Sequence, residues 1–198
     1  ANKGKQVETA SVVSEPTVET INSLVRRATP FNPEVVIGSG GGSGLDAGKA
    51  IAALISNPGD PLDYLEVVGK GLPYAHPAIP YMAIPTTAGT GSEVTRNSVI
   101  GVPEKGVKVS LRSPSMLPRW AVVDPELSYQ LPHPIAAYSG MDALTQCFEA
   151  YLSRCANPIT DGIALEGLRR AARSLRKACS DTLNPEAKED MCVASLCS

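Results

Sequence analysis

The sequence predicts an α/β nucleotide-binding domain, a parallel sheet with flanking helices, followed by the start of an all-helical domain. Three observations predict it. Short apolar runs alternate with turn residues between Val35 and Asp124. A glycine cluster joins the first of these runs to a helical pattern. Beyond Pro125 the apolar residues recur at helical spacing. The division falls between residues 1–125, the dinucleotide-binding part, and residues 126–198, the part of a helical metal and substrate domain.

Taken in order, residues 16–28 read as a helix with Ser14 at or near its cap. Val35, Val36 and Ile37 form a strand that feeds the glycine-rich residues 38–44. Residues 42–56 read as a second helix with Ser43 at or near its cap, stopped by Asn57, Pro58, Gly59, Asp60 and Pro61. Strands follow at 81–84, 98–102, 107–111 and 120–123, with Pro103, Glu104, Lys105 and Gly106 as a hairpin turn. Helices then run over 134–153, where Met141, Leu144, Phe148 and Leu152 recur at helical spacing, over 158–178 with arginines along one side, and from 185 onward. This last helix carries Met191, Cys192, Val193, Ala194 and Leu196 with no stop signal, and the chain opens on Ala1 in a polar segment. Both ends read as cut, and the unfinished apolar helix calls for something to cover it, with a homodimer as one candidate.

Composition narrows the function classes. At 198 residues and 43% hydrophobic content the chain can bury a core, and 19% charged residues argue against disorder. A net charge of −2 lacks the electrostatic footprint of nucleic-acid binding. No apolar run approaches the length of a membrane span. The five cysteines, Cys147, Cys155, Cys179, Cys192 and Cys197, form no C-x-x-C pair, and an odd count without a signal peptide reads as reduced thiols in the cytoplasm. His76 and His133 each precede proline in loop-like contexts, outside any ligand pattern.

The glycine cluster carries the chemistry. Glycines lack Cβ, so an anion can lie against the main chain of Gly41, Gly42 and Ser43, and the first amides of the following helix add donors and the positive end of its dipole. Two familiar phosphate motifs fail here. Gly48 and Lys49 match the end of a P-loop, but Ser43 stands where its first glycine belongs and Ala50 where its metal-binding hydroxyl belongs. The G-x-G-x-x-G/A fingerprint fits only Gly42, Gly44 and Ala47, two of them inside the helix, and no acidic residue follows at the required distance. A glycine-rich loop that binds nothing is the alternative.

A second loop follows the 81–84 strand. Thr86, Thr87, Thr90 and Ser92 place four hydroxyls within seven residues, interleaved with Gly89 and Gly91. Such hydroxyls suit ribose and phosphate oxygens, and an ordinary Ser/Thr turn is the alternative. Lys108 stands on a strand from which its ammonium could reach a nucleotide hydroxyl, or simply solvent. Farther on, Asp142 and Gln146 are four apart and share one helix face. Asp142 lies among Met141, Ala143 and Leu144, where a carboxylate calls for a cation or a metal; a place near the helix start, or pairing with Arg154, is the alternative.

Three blocks together resemble the iron-containing (group III) alcohol dehydrogenase family of the dehydroquinate synthase-like superfamily. They are Gly40-Gly41-Gly42-Ser43 with Asp46 and Lys49, then the loop from Pro85 to Glu93, then Asp124-Pro125-Glu126-Leu127 with Gly140-Met141-Asp142-Ala143-Leu144-Thr145. The likeness runs from about Glu15 to the end. It implies an α/β domain and an all-helical domain with NAD or NADP between them. It implies that Gly41, Gly42 and Ser43 hold the pyrophosphate with Asp46 nearby, that Thr86, Thr87, Thr90, Thr95 and Asn97 meet phosphate and ribose, and that Lys108 is the strand lysine of the site. A divalent metal, Fe²⁺ or Zn²⁺, is held in the family by one Asp and three His, and Asp142 matches the Asp.

Gln146 stands where the family places its first histidine, and a neutral amide is a weak ligand for these metals. The resemblance puts two more histidines beyond Ser198 and about two strands ahead of the Glu15 region. The implied activity is hydride transfer between an alcohol and its aldehyde or ketone, with a small-molecule substrate, metal-assisted in the intact family and metal-free in the branch resembling maleylacetate reductases. Two other readings stand beside it: a non-catalytic remnant or binding module, and a lyase or polyol-phosphate dehydrogenase of the same superfamily.

Overall fold

In the computed structural model, which describes residues 4, 6–180 and 184–198, the first part of the chain is built around helix α2 (Gly42–Ser56). Ala1, with which the polar opening begins, lies outside the described residues. Helix α2 is a run of alanine, leucine and isoleucine with little polar surface, and such a helix is stable only when covered on most sides. Leu45 and Ala52 pack on Tyr81 and Ala83 of a sheet. Ala47, Ala50, Ala53 and Leu54 pack with Ile21 of α1 (Val18–Ala28) and with Ile100, Val102 and Leu111 of a hairpin.

The sheet is parallel, in the order β1 (Val36–Gly40), β2 (Tyr81–Pro85), β5 (Trp120–Ala121). The hairpin pairs β3 (Asn97–Val102) with β4 (Val107–Arg112), Asn97 opposite Arg112 and Val102 opposite Val107. Beyond Pro125 the chain is helical: α4 (His133–Leu152), α5 (Pro158–Ser180) and α6 (Pro185–Leu196) pack on one another. Their core is made of Ala171, Ala178, Ala187, Met191 and Ala194, together with Ala88 from the loop after β2. The architecture is the expected one, a parallel sheet with flanking helices and then a helical region.

Several expected details change. Thr17, not Ser14, caps α1: its hydroxyl accepts from the Thr20 amide at 3.2 Å. Gly41, not Ser43, is the cap of α2, and no side chain caps that end. The 57–61 stop leads into a one-turn helix, α3 (Pro61–Tyr64), closed by reciprocal bonds of Asp60 and Asp63, a capping box readable in the sequence. Strand β5 is only two residues long, although Val122 still donates to the Ala83 carbonyl at 2.8 Å. His133 opens α4 instead of lying in a loop. Helix α6 is largely buried, and within the helical part uncovered apolar surface lies instead on α4 and the start of α5, at Tyr138, Met141, Phe148, Leu152, Ile159 and Ile163.

Tyr81 fixes α2 against the sheet. Its ring covers Gly38 and Gly48, where a Cβ would overlap it, and its hydroxyl donates to the Leu45 carbonyl at 2.9 Å. Tyr81→Phe keeps the ring and removes that buried bond, so urea unfolding is expected to show a loss of about 1 kcal/mol. Unchanged stability would show that the bond contributes nothing to the seating of α2.

Candidate nucleotide site

Strand β1 ends on Gly40, whose φ of 148° is open to glycine and strained for other residues. The chain then turns at Gly41 directly into α2. The Gly44 and Leu45 amides donate to the Gly41 carbonyl at 3.0 and 3.1 Å. The amides of Gly42 and Ser43 open the helix with no partner inside it. These two donors, with the helix dipole behind them, form a seat for an anion. A cleft of about 750 Å³ reaches the turn, within the size range of small-molecule sites. Gly40, Gly41, Ser43 and Gly44 line one wall and residues 6–15 the other.

The threonine loop packs against the turn. The Thr86 amide donates to the Gly40 carbonyl at 2.9 Å. A Cβ on Gly41 would lie 3.3 Å from the Thr87 methyl, and one on Gly42 only 2.7 Å from the Thr90 methyl. Thr86, Thr87 and Thr90 are thus brought to the glycine turn, and none of the three lines the 750 Å³ cleft. Thr95, Asn97 and Lys108 lie farther off. The Thr95 hydroxyl accepts from the Lys49 ammonium at 3.2 Å, Asn97 begins β3, and Lys108 pairs with Glu15 at 2.7 Å on the exposed face of the hairpin.

Asp46 and Lys49 are oriented inward. One Asp46 carboxylate oxygen accepts from the Ser92 hydroxyl at 2.5 Å, and the other from the Val99 amide at 2.9 Å. Lys49 is fully buried and lies 3.3 Å from Asp46. Its ammonium donates to the Ser92 carbonyl at 2.8 Å. Burial lowers its pKa and the Asp46 charge opposes that shift. Glu93, buried beside it, is shifted upward by the same loss of solvent. Asp46 therefore supports the site from behind through its contacts with β3 and the threonine loop.

Asp142 and Gln146 do share one face of α4, well inside the helix. Burial raises the Asp142 pKa while the Gln146 amide supports the charged form. Gln146 also donates to the Gly89 carbonyl at 3.3 Å, which ties α4 to the threonine loop. Among the described residues no group of three or more His, Cys, Asp or Glu could hold a metal ion. One carboxylate and one neutral amide do not make a site for Fe²⁺ or Zn²⁺, so these residues alone do not fit the group.

The sequence of residues 1–125 matches the pattern of iron-containing alcohol dehydrogenases, and residues 136–198 match the C-terminal part of that family. The chain belongs to the iron-containing alcohol dehydrogenase family. It is 40% identical to alcohol dehydrogenase 4 of Saccharomyces cerevisiae over 179 residues, covering 90% of this chain and 46% of that protein. It is 36% identical to the 4-hydroxybutyrate dehydrogenase of Cupriavidus necator over 200 residues, covering 99% of this chain and 51% of the other. The crystal structure of sulfoacetaldehyde reductase from Bifidobacterium kashiwanohense in complex with NAD⁺ superposes with a TM-score of 0.88 at 34% identity, over 95% of this chain and 49% of that one. The chain spans about half the length of the curated relatives it matches.

The sequence reading misses the roles of three residues, two of them inside its motifs. Lys49 enters it only as part of a motif. A lysine inside an otherwise apolar helical run, three residues after Asp46, is the signal that marks it as a buried ion-pair partner. Ser195, whose hydroxyl accepts from the Gly91 amide at 3.2 Å, and Gly89, the acceptor for Gln146, carry no local signal.

Proposed function

We propose that this chain forms the NAD(P)-binding part of an oxidoreductase that moves hydride between a small alcohol and its aldehyde or ketone. The observation that carries this reading is the glycine turn opening α2, with the threonine loop packed across it. In this reading the Gly42 and Ser43 amides hold the diphosphate, Gly41 lets it approach the main chain, and Thr86, Thr87 and Thr90 offer hydroxyls to phosphate and ribose. Asp46 keeps the two loops in register, and Thr95, Asn97 and Lys108 form the outer part of the site. Hydride chemistry is supplied by the nicotinamide ring when the dinucleotide is bound, and the protein's share is to hold and orient it. Asp142 would be this chain's one ligand to the family's metal centre, which the described residues do not complete.

Purified protein titrated with NADH is expected to give a saturable rise in nicotinamide fluorescence. A flat titration would overturn the proposal. The donor set at Asp142 favours one other reading, a chain that binds the dinucleotide and turns over no substrate; oxidation of NADH on addition of an aldehyde distinguishes the two. The same reading takes the cytoplasm as the compartment, in keeping with five free cysteines, and a second copy of the chain as partner. Sedimentation of the titrated sample as a monomer at all concentrations would remove the second copy. Among the described residues no helix is long and apolar enough to cross a membrane.

A further inference from the structure

Lys49 is the one lysine of α2, and it is wholly enclosed. Removing an ammonium from water costs several kcal/mol unless oxygen partners surround it. It has them: the Ser92 carbonyl at 2.8 Å, the Thr95 hydroxyl at 3.2 Å, the Thr95 carbonyl at 3.4 Å and Asp46 at 3.3 Å. All but Asp46 belong to the end of the threonine loop. Asp46 in turn accepts from the Ser92 hydroxyl and the Val99 amide, and the Ser98 hydroxyl donates to the Asp46 carbonyl at 2.8 Å. One face of α2 thus grips residues 92–99 through a buried charge pair. The opposite end of the same loop lies against Gly41 and Gly42. An ammonium has only three hydrogens, so this set leaves Lys49 no donor for a phosphate.

We propose that Lys49 is a positioning residue of the nucleotide site: its ammonium, fixed by Asp46, sets where the threonine loop stands relative to the glycine turn. The inference rests on the dinucleotide reading above. It separates two kinds of ligand. NADH spans both loops and needs them in register. ADP carries a diphosphate and no nicotinamide riboside, so it rests chiefly on the glycine turn and meets the threonine loop only through its phosphates.

The test compares NADH and ADP affinities by calorimetry in wild-type protein, Lys49→Met and Ser92→Ala, with circular dichroism as the check on folding. In Lys49→Met the NADH dissociation constant is expected to rise about tenfold or more while that for ADP stays within about twofold, a split that general loosening of the fold would not produce. Ser92→Ala removes only the hydroxyl tie to Asp46 and is expected to show a smaller split, about threefold, in the same direction. Equal weakening of both ligands, or no change in either, would overturn the proposal. If Lys49→Met does not fold, Ser92→Ala decides by the same criterion. Wild-type protein that binds neither ligand would instead sink the dinucleotide reading, and this inference with it.

Discussion

Gly42→Ala is expected to weaken NADH binding by about ten- to a hundredfold, an effect of about 1–3 kcal/mol in a closely packed site. The added methyl would lie 2.7 Å from the Thr90 methyl and 3.3 Å from the Thr90 Cβ. Neither neighbour can retreat freely, because the Thr90 hydroxyl accepts from the Ser92 amide at 3.3 Å, and Ser92 is held by Asp46. The threonine loop must move as a unit, away from the turn it helps to complete. The second variant is Gly42→Ala with Thr90→Ser, which removes the offending methyl and keeps the hydroxyl. Recovery to within about threefold of wild-type affinity is expected, since the two positions are coupled through one contact. If the double variant stays as weak as the single one, Gly42 is needed bare by the ligand itself and the loop-packing account fails. If Gly42→Ala binds NADH normally, the close approach of the two loops has no bearing on binding.

That contact illustrates what the amino-acid order reveals and what it hides. The strand, glycine turn and helix of residues 36–56 are written in local pattern: apolar run, bare backbone, apolar helix. The hydroxyl-rich loop after β2 is equally local, and so is the pairing of Asp142 with Gln146 one helical turn apart. Each is legible because residues two to four apart decide it. Asp46 is legible as part of the glycine motif, but not that both its carboxylate oxygens are engaged by Ser92 and Val99. Those partners are separated from it by 46 and 53 positions, and only the packing of α2 between sheet and hairpin brings them together. Gln146 is the sharper case. Read against the family, it is a missing metal ligand. In the folded chain its amide donates to the Gly89 carbonyl, 57 positions away. The threonine loop is therefore held from three sides, by α2 through Lys49, by α4 through Gln146 and by α6 through Ser195. One loop thus contacts both the sheet-and-hairpin part and the helical part.

Asp190→Asn is expected to destabilise the helical part by about 2 kcal/mol at neutral pH, with the loss shrinking in acid. Asp190 is buried at the junction of α5 and α6, and its carboxylate accepts four bonds: two from Arg173 at 2.7 and 2.6 Å, one from Arg170 at 3.0 Å and one from the Ser174 hydroxyl at 2.5 Å. Arg173 above all holds its pKa down to about 2, against an ordinary value of 3.8. Because the folded value is the lower one, the stabilisation is fully present above the unfolded value and disappears as pH falls from about 4 towards 2. The two arginines keep part of their surface in water, which screens the pair and keeps the effect nearer 2 than 5 kcal/mol. Urea unfolding of both proteins between pH 7 and about pH 2.5 checks this: the gap between the two curves should narrow steadily below about pH 4. Parallel curves would mean that the charge on Asp190 is not what joins the helices. The consequence reaches the nucleotide site, because the helix that carries Asp190 also carries Ser195, the hydroxyl that accepts from the Gly91 amide of the threonine loop. Loosening the α5–α6 junction should therefore weaken NADH binding before it unfolds the sheet, and an Asp190→Asn protein with wild-type NADH affinity would show that the α6 tie through Ser195 does not set the position of the loop.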